Sequence, residues 1–447
     1  MIKSLPLLAI LRLKRNKAGP MKRRQFIQTA STGTALGALG FTAGCASIGN
    51  GNGPKVVVVG GGYGGATAAK YVRMWSDYGI QVTVVEPNPS FISCPISNLV
   101  IGGSKTMADI TTSYDNLVKR HGVNWVQDRA VSIDPDKRVL KLAGGTELSY
   151  DRLILSPGVD FMFDALPGLS KAGAQDKVLH AWKAGAQTVA LRKQLQAMPD
   201  GGVYALSIPL APYRCPPGPY ERACQVADYF TKAKPKSKVL ILDANDDVTS
   251  KGPLFKKAWA ERYKGMVEYR GKHTATDVDA ATNTLKFEFN DDVKANVLNV
   301  IPPMRAGDIA VKTGLATANK RWCEVDFLTF ESKAAKNIHV LGDSIQIAPA
   351  MPKSGHMANQ HGKTCAAAVV ALLTGKAVNA MPIYNNTCYS FVSAEDVVHV
   401  ASVHAYDPDK KTMLAVAGAG GVSSAASELE GRYAMAWARN IWADTLA

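Results

Sequence analysis

The chain reads as an α/β protein built from two Rossmann-like dinucleotide-binding domains and a C-terminal α+β interface domain. Three observations predict this. A valine strand runs into a glycine-rich loop at 54–65. Two later apolar strands, within 149–158 and 337–343, end in glycine turns. A second βαβ-like pattern lies between them. The expected division is 1–50 as signal and linker, 54–160 with 296–375 as one discontinuous domain, 161–295 as the second dinucleotide-type domain, and 376–447 as the interface domain.

Residues 1–50 carry eight Lys or Arg and no Asp or Glu. Arg23-Arg24-Gln25-Phe26-Ile27 resembles a twin-arginine export signal, with Met21 as a second possible start. The stretch 29–41 after it is mildly apolar and too short for a stable membrane span. No other stretch suggests a transmembrane segment. Export by this route implies a periplasmic protein that takes up its cofactor before crossing. Cys45, after Thr42-Ala43-Gly44, is a candidate for a lipid anchor, although Thr42 stands where Leu is usual. Without the eight positive residues the net charge of +15 becomes 15 − 8 = +7. Such a moderately basic surface suits an acidic partner protein. No Lys/Arg cluster interleaved with aromatics points to nucleic acid.

Residues 56–59 are all valine and suit a buried parallel strand. Gly60, Gly62 and Gly65 then keep the G-x-G-x-x-G spacing. The first allows a tight turn, the second lets the backbone approach a pyrophosphate, and the third lets the helix pack on the strand. A helix over 66–73 aims its N-terminal N–H groups at the phosphates. Glu86 closes the next strand, 82–85, and is placed to accept from ribose hydroxyls.

The strand in 149–158 ends at Gly158, and the strand in 337–343 ends in Gly342-Asp343. Both segments resemble those of flavoproteins with two dinucleotide domains, which implies that Asp343 holds the ribityl chain of FAD. Between them, 203–208 reads as a strand, 221–231 as a helix and 238–242 as a strand ending in Asp243. The connecting loop, Pro209-Leu210-Ala211-Pro212-Tyr213-Arg214-Cys215-Pro216-Pro217-Gly218, lacks the glycine spacing. Proline removes donors and fixes φ, so this unit is expected not to bind NAD(P). A helix is expected over 361–373, and the glycine-rich 415–422 reads as a loop.

Besides Cys45 there are six cysteines, none in C-x-x-C spacing, so no zinc ribbon or haem attachment is expected on this chain. Cys224, Cys323 and Cys365 read as packed thiols. The histidines show no metal-ligand spacing, and no metal is expected.

Several runs carry a closer resemblance. They are Ser93-Cys94-Pro95-Ile96-Ser97-Asn98, the run from Ala211 through Cys215-Pro216-Pro217-Gly218-Pro219-Tyr220-Glu221-Arg222-Ala223, Met351-Pro352-Lys353-Ser354-Gly355, and Asn386-Thr387-Cys388-Tyr389-Ser390. Over 54–447 the chain resembles the flavoprotein subunit of flavocytochrome c sulfide dehydrogenase, a relative of sulfide:quinone oxidoreductases. The resemblance implies FAD bound covalently through Cys94, where Pro95-Ile96 replaces an aromatic-aliphatic pair. It implies a redox-active disulfide between Cys215 and Cys388, 173 residues apart. Hydrosulfide would open that disulfide, and two electrons would enter FAD. Arg214 and Lys353 would supply positive surroundings for the leaving thiolate. Glu221 is a candidate acid/base, or a carboxylate that answers a helix dipole. Lys353 and Ser354 open a helix expected to face the pyrimidine side of the flavin. The implied partners are sulfide or polysulfide as substrate and a separate c-type, dihaem cytochrome subunit. Three alternatives remain: a quinone-reducing relative, a non-catalytic FAD-binding sulfur carrier or assembly factor, and an NAD-linked disulfide reductase. The missing C-x-x-x-x-C and second glycine loop argue against the last.

Overall fold

A computed structural model describes residues 53–447; Arg23, Arg24 and Cys45 lie outside the described residues. The first dinucleotide domain is built on a five-stranded parallel sheet. Its order is Ile338–Val340, Arg152–Leu155, Lys55–Val59, Gln81–Val85, Asn124–Val126. Both faces of such a sheet are covered, which is why Val56, Val57, Val58 and Val59 read as one apolar run and are all buried. The helix Tyr63–Trp75 follows the glycine loop and lies against the helix Gly355–Thr374. That second helix begins before the expected 361, because Ser354 caps it at a position where no apolar periodicity shows yet.

The second domain carries a four-stranded parallel sheet in the order Val267–Arg270, Lys238–Asp243, Val203–Ile208, Val297–Val300. Its last strand pairs with Tyr204–Ser207 and so lies past the boundary expected at 295. The helix Gly218–Ala233 starts earlier than expected, with Pro219 in its first turn, where a missing N–H costs nothing.

The C-terminal region is a four-stranded antiparallel sheet with one long helix. Strands Ile383–Phe391 and Val397–Asp407 form a hairpin that sets Cys388 opposite Val400. The segment expected to be a loop at 415–422 is bounded by two short strands, Thr412–Ala415 and Gly421–Val422, both paired with Val397–Asp407. The helix Glu428–Leu446 closes the chain, capped by Ser427, whose hydroxyl accepts from the N–H of Glu430. No described helix is long and apolar enough to cross a membrane.

Candidate active site

The strand ends of the first sheet, the loop 209–218 and the hairpin carrying Cys388 enclose one cavity of about 650 Å³. At one end lies the glycine loop. Gly60 has φ +99°, and a Cβ there would sit 2.3 Å from the carbonyl oxygen of Ser156. A Cβ at Gly65 would sit 1.9 Å from the carbonyl oxygen of Gly60, so strand and helix meet only because both are glycine. Gly62 differs: a Cβ there meets nothing within 4 Å and would project into open space on the cavity wall. Gly62 is also the N-cap of Tyr63–Trp75 and offers no side-chain cap, so the first N–H groups of that helix are left for a ligand. Glu86 is buried beside them, and its carboxylate accepts from the N–H of Gly61 at 2.7 Å and of Asn88 at 2.9 Å. Gly158 lines the same cavity.

This end fits the pyrophosphate and ribose of FAD, and the Gly342-Asp343 turn fits its ribityl chain. Asp343 lines the cavity, yet one carboxylate oxygen, Oδ1, is buried without a hydrogen-bond partner. A buried acceptor left unpaired is costly, and a ligand hydroxyl would satisfy it. Burial raises the pKa of this carboxyl, opposed by Arg214 and Lys353. Two expected outcomes follow. Gly62→Ala should keep the wild-type melting temperature but weaken FAD retention by at least about tenfold, since its methyl fills the cradle rather than the core. Gly65→Ala should fail to fold stably, because backbone and not a flexible side chain blocks its Cβ. Thermal unfolding and flavin content of the two purified variants check both.

The other end of the cavity gathers the sulfur residues. Cys94, Cys215 and Cys388 all line it, and none is bonded to another cysteine, so the expected Cys215–Cys388 disulfide is not formed in this structure. Cys94 sits just before the helix Ser97–Gly102, and its sulfur accepts from the N–H of Ala184 at 3.3 Å. Cys215 is held with φ +58°, a left-handed conformation that non-glycine residues rarely adopt. Its N–H donates to the Lys353 carbonyl at 2.8 Å. Burial pushes the Cys215 thiol well up, and Cys388 and Glu221 add to this against Arg214 and Lys251. Burial also raises Cys388, but Lys251 and the Asn386 and Ser354 side chains pull it back. Asn386 Nδ2 donates to Cys388 Sγ at 3.4 Å, and Asn386 Oδ1 accepts from the Ser354 hydroxyl at 2.6 Å.

Ser354 thus does two things. It accepts from the Met357 N–H at 3.0 Å as the N-cap of the helix Gly355–Thr374, and it steadies Asn386 beneath Cys388. Ser354→Ala should cost about 1 kcal/mol of stability, the usual price of a lost cap. Chemical denaturation at constant m-value would measure it.

Glu221 lies in the first turn of Gly218–Ala233 and borders the cavity. It is 3% exposed, and it accepts from the Phe391 N–H and from Asn98 Nδ2, both at 2.8 Å. Burial raises its pKa to about 7, against those two hydrogen bonds and the charges of Lys251 and Arg222. Arg214 lines the cavity at the same end, half-buried. Burial alone would lower the Arg214 pKa, but Cys94, Asp343 and Cys215 outweigh it and the value is raised.

Lys353 departs from expectation. Its ammonium does not line the cavity. It donates to the carbonyls of Asp343 at 2.9 Å and Ile345 at 2.6 Å and lies 3.6 Å from the centre of the Trp322 ring. Burial lowers its pKa to about 7 despite Asp343. Its contribution is to brace the Asp343 turn and, through its carbonyl, the Cys215 loop. Cys224, Cys323 and Cys365 are fully buried. Among the described residues no group of three His, Cys, Asp or Glu is placed to hold a metal.

Three family descriptions match this chain. Residues 188–302 match the central region of the sulfide dehydrogenase [flavocytochrome c] flavoprotein chain, and 380–446 match the flavin-binding region of flavocytochrome c sulphide dehydrogenase. Residues 54–198 match pyridine nucleotide-disulphide oxidoreductases. The sulfide dehydrogenase [flavocytochrome c] flavoprotein chain of Chlorobaculum thiosulfatiphilum is 59% identical over 46 residues, 10% of this chain and 94% of that sequence. The mitochondrial sulfide:quinone oxidoreductase of Mus musculus is 28% identical over 324 residues, 69% of each chain. That of Dictyostelium discoideum is 25% identical over 65% of each. Among solved structures, the sulfide:quinone oxidoreductase of Aquifex aeolicus superposes with a TM-score of 0.71 at 18% identity, covering 88% of this chain and 91% of that one, a likeness of fold. With its glycine cradle, its Asp343 turn and its cysteine-lined cavity, this chain belongs to the family of flavocytochrome c sulfide dehydrogenase flavoprotein chains, FAD-dependent sulfide oxidoreductases.

Proposed function

We propose that this protein oxidises sulfide through a Cys215–Cys388 redox pair and passes the electrons from FAD to a separate c-type cytochrome subunit. The observation that carries this reading is the opening of both thiols, with Glu221 between a buried amide and the cavity, on the chamber that also holds the FAD cradle. In the oxidised pair, hydrosulfide attacks one sulfur, the disulfide bond breaks, and its bonding electrons leave on the other sulfur as thiolate. The attacked cysteine keeps the new sulfur as a persulfide. FAD, when bound, accepts the two electrons and releases them one at a time. Glu221, whose pKa burial raises to about 7, takes and returns the proton of the sulfur nucleophile. Arg214 keeps positive charge beside the sulfur residues.

Cys94 would tether FAD covalently, since it lines the cavity and its sulfur is held by the Ala184 N–H. Acid precipitation followed by absorbance of pellet and supernatant tests the tether. Flavin that stays with the protein supports it, and flavin released to the supernatant refutes it. The twin-arginine motif and Cys45 support export to the periplasm, with lipidation a separate question for mass spectrometry of the mature protein.

The second domain is proposed not to take NAD(P). Its strand-end carboxylate, Asp243, is already engaged by the hydroxyls of Tyr220 at 2.7 Å and Tyr269 at 3.1 Å and by the Asn245 side chain at 2.7 Å. A ribose would have to displace them. NADH and NADPH should leave the flavin oxidised in an anaerobic titration; bleaching by either would refute this point.

A cytochrome acceptor is supported by the mixed exposed face of the C-terminal helix, where Glu428, Arg432 and Arg439 interrupt the apolar Leu429 and Tyr433 and leave no continuous apolar patch for a membrane quinone. Leu429 and Tyr433 are exposed and recur at four-residue spacing with Trp437, which lines the cavity. The relatives named sulfide:quinone oxidoreductases favour quinone as a second reading. Steady-state turnover with sulfide discriminates the two: reduction of a c-type cytochrome with no reduction of a soluble quinone supports the first, and the converse supports the second.

A further inference from the structure

Lys251 was not marked by any sequence motif, yet it sits beneath the redox pair. It precedes the helix Gly252–Glu261 with φ +56°, and that left-handed turn sends its side chain inward, where 7% of the residue stays exposed. Its ammonium donates to the carbonyl of Cys388 at 2.8 Å, the hydroxyl of Ser390 at 2.7 Å and the carbonyl of Val398 at 3.4 Å. Those three oxygens use all three ammonium protons and tie both strands of the hairpin that carries Cys388. All three are neutral, so no contacting anion balances the charge; Glu221 and Glu430 act on it only from a distance, and burial lowers its pKa to about 8. An unbalanced buried cation is costly to keep. It is justified where an anion forms beside it.

We propose that Lys251 is a positioning residue whose buried charge stabilises a Cys388 thiolate, so that hydrosulfide attacks Cys215 and Cys388 is the sulfur that leaves. This deepens the redox-pair reading and rests on it. The bond that forms joins the hydrosulfide sulfur to Cys215 Sγ, and the bond that breaks is Cys215 Sγ–Cys388 Sγ. The bonding pair departs on Cys388 Sγ, and the hydrosulfide proton stays on the Cys215 persulfide until a base takes it.

The surroundings divide the two sulfurs. Lys251 and Glu221 act on both sulfurs, but in a different order: Cys388 has Lys251 first, then the Asn386 and Ser354 side chains, and Glu221 last, whereas Cys215 has Glu221 ahead of Lys251 and shares Arg214 with Cys94 and Asp343. The other titratable groups turned toward the pair are Arg222, whose charge acts on Cys215, His356, which accepts from the Thr387 N–H beside Cys388, and Glu430, which with Glu221 acts on Lys251. Burial keeps His356 neutral, with its pKa lowered to about 4, so Lys251 is the cation nearest the Cys388 strand.

The test is the pH dependence of Cys388 alkylation in the reduced holoprotein, followed by peptide mass spectrometry with iodoacetamide as the probe. This readout needs no sulfide, so it stands even if sulfide proves not to be the substrate. In Lys251→Met the Cys388 curve should move to higher pH, with alkylation near neutral pH slowed about tenfold or more, one pKa unit being a factor of ten. The Cys215 curve should move less, and Lys251→Arg should restore the wild-type curve. Ser390→Ala removes one acceptor but keeps the charge, so it should leave the Cys388 curve in place; a shift equal to that of Lys251→Met would reduce Lys251 to a strand anchor. An unmoved Cys388 curve in folded Lys251→Met overturns the proposal. Should that variant not fold, a single sulfide turnover on the oxidised wild type decides: persulfide on the Cys215 peptide supports the proposal, and persulfide on the Cys388 peptide overturns it.

Discussion

Cys388→Ser should lower kcat/KM for sulfide by at least about 10³-fold while flavin content and melting temperature stay near wild type, because removal of a covalent participant leaves only binding and polarisation. Cys388 is half-buried and its sulfur contacts Asn386, so a hydroxyl of similar shape fits the site. Cys215→Ser should lose as much rate. Its backbone is already held at φ +58° by the N–H to the Lys353 carbonyl, an arrangement that does not use the sulfur. The double variant should be no slower than either single one, since the two sulfurs act as one unit. Anaerobic stopped-flow, following flavin bleaching over a range of sulfide concentrations, checks all three. Additive losses would show that the cysteines act apart.

Glu221→Gln should cost about 10²-fold or more in the same rate and flatten its pH profile. In the wild type the carboxyl has a pKa near 7, raised chiefly by burial, so the base form gains population as pH climbs through that value. The rate limb that rises there should disappear in the variant, which can accept from only one of the two donors, the Asn98 amide or the Phe391 N–H, and cannot take a proton. Stability moves in the opposite sense. A folded pKa above the unfolded one contributes stability that is whole below the ordinary carboxylate range and is lost as pH rises through about 7. Denaturation midpoints should therefore fall less between about pH 5 and about pH 8 in Glu221→Gln than in the wild type. A variant that retains the rising limb near neutrality would remove Glu221 from proton transfer and leave it as a helix N-terminal carboxylate.

Much of the FAD cradle was legible in the sequence because backbone chemistry dictates it. Gly60, Gly62 and Gly65 are glycines for reasons of φ and close approach, and Glu86 must follow at the end of the neighbouring strand. Asp343 came from the resemblance of the strand ending in Gly342-Asp343 to those of two-dinucleotide-domain flavoproteins. Side-chain direction was not. Lys353 adjoins Ser354 in sequence, but the chain turns there and its ammonium goes under Trp322 instead of toward the cavity. Lys251 lies within Thr249-Ser250-Lys251-Gly252-Pro253, a run that reads as an exposed turn; only its φ carries the side chain to Cys388. The boundary expected at 295 falls before the strand Val297–Val300, which pairs into the second sheet, because a boundary between two Rossmann units leaves no compositional mark. The meeting of Cys215 with Cys388 came from resemblance, since a spacing of 173 residues carries no local signal.

One measurement bears most directly on the central claim: anaerobic addition of sulfide to the oxidised holoprotein, with the flavin spectrum and the mass of the cysteine peptides recorded on the same sample. The account predicts bleaching of the flavin together with a persulfide on one cysteine of the Cys215–Cys388 pair, and neither event in the double serine variant. A flavin bleached by sulfide equally well without the two cysteines, or one left oxidised by sulfide in the wild type, would contradict it.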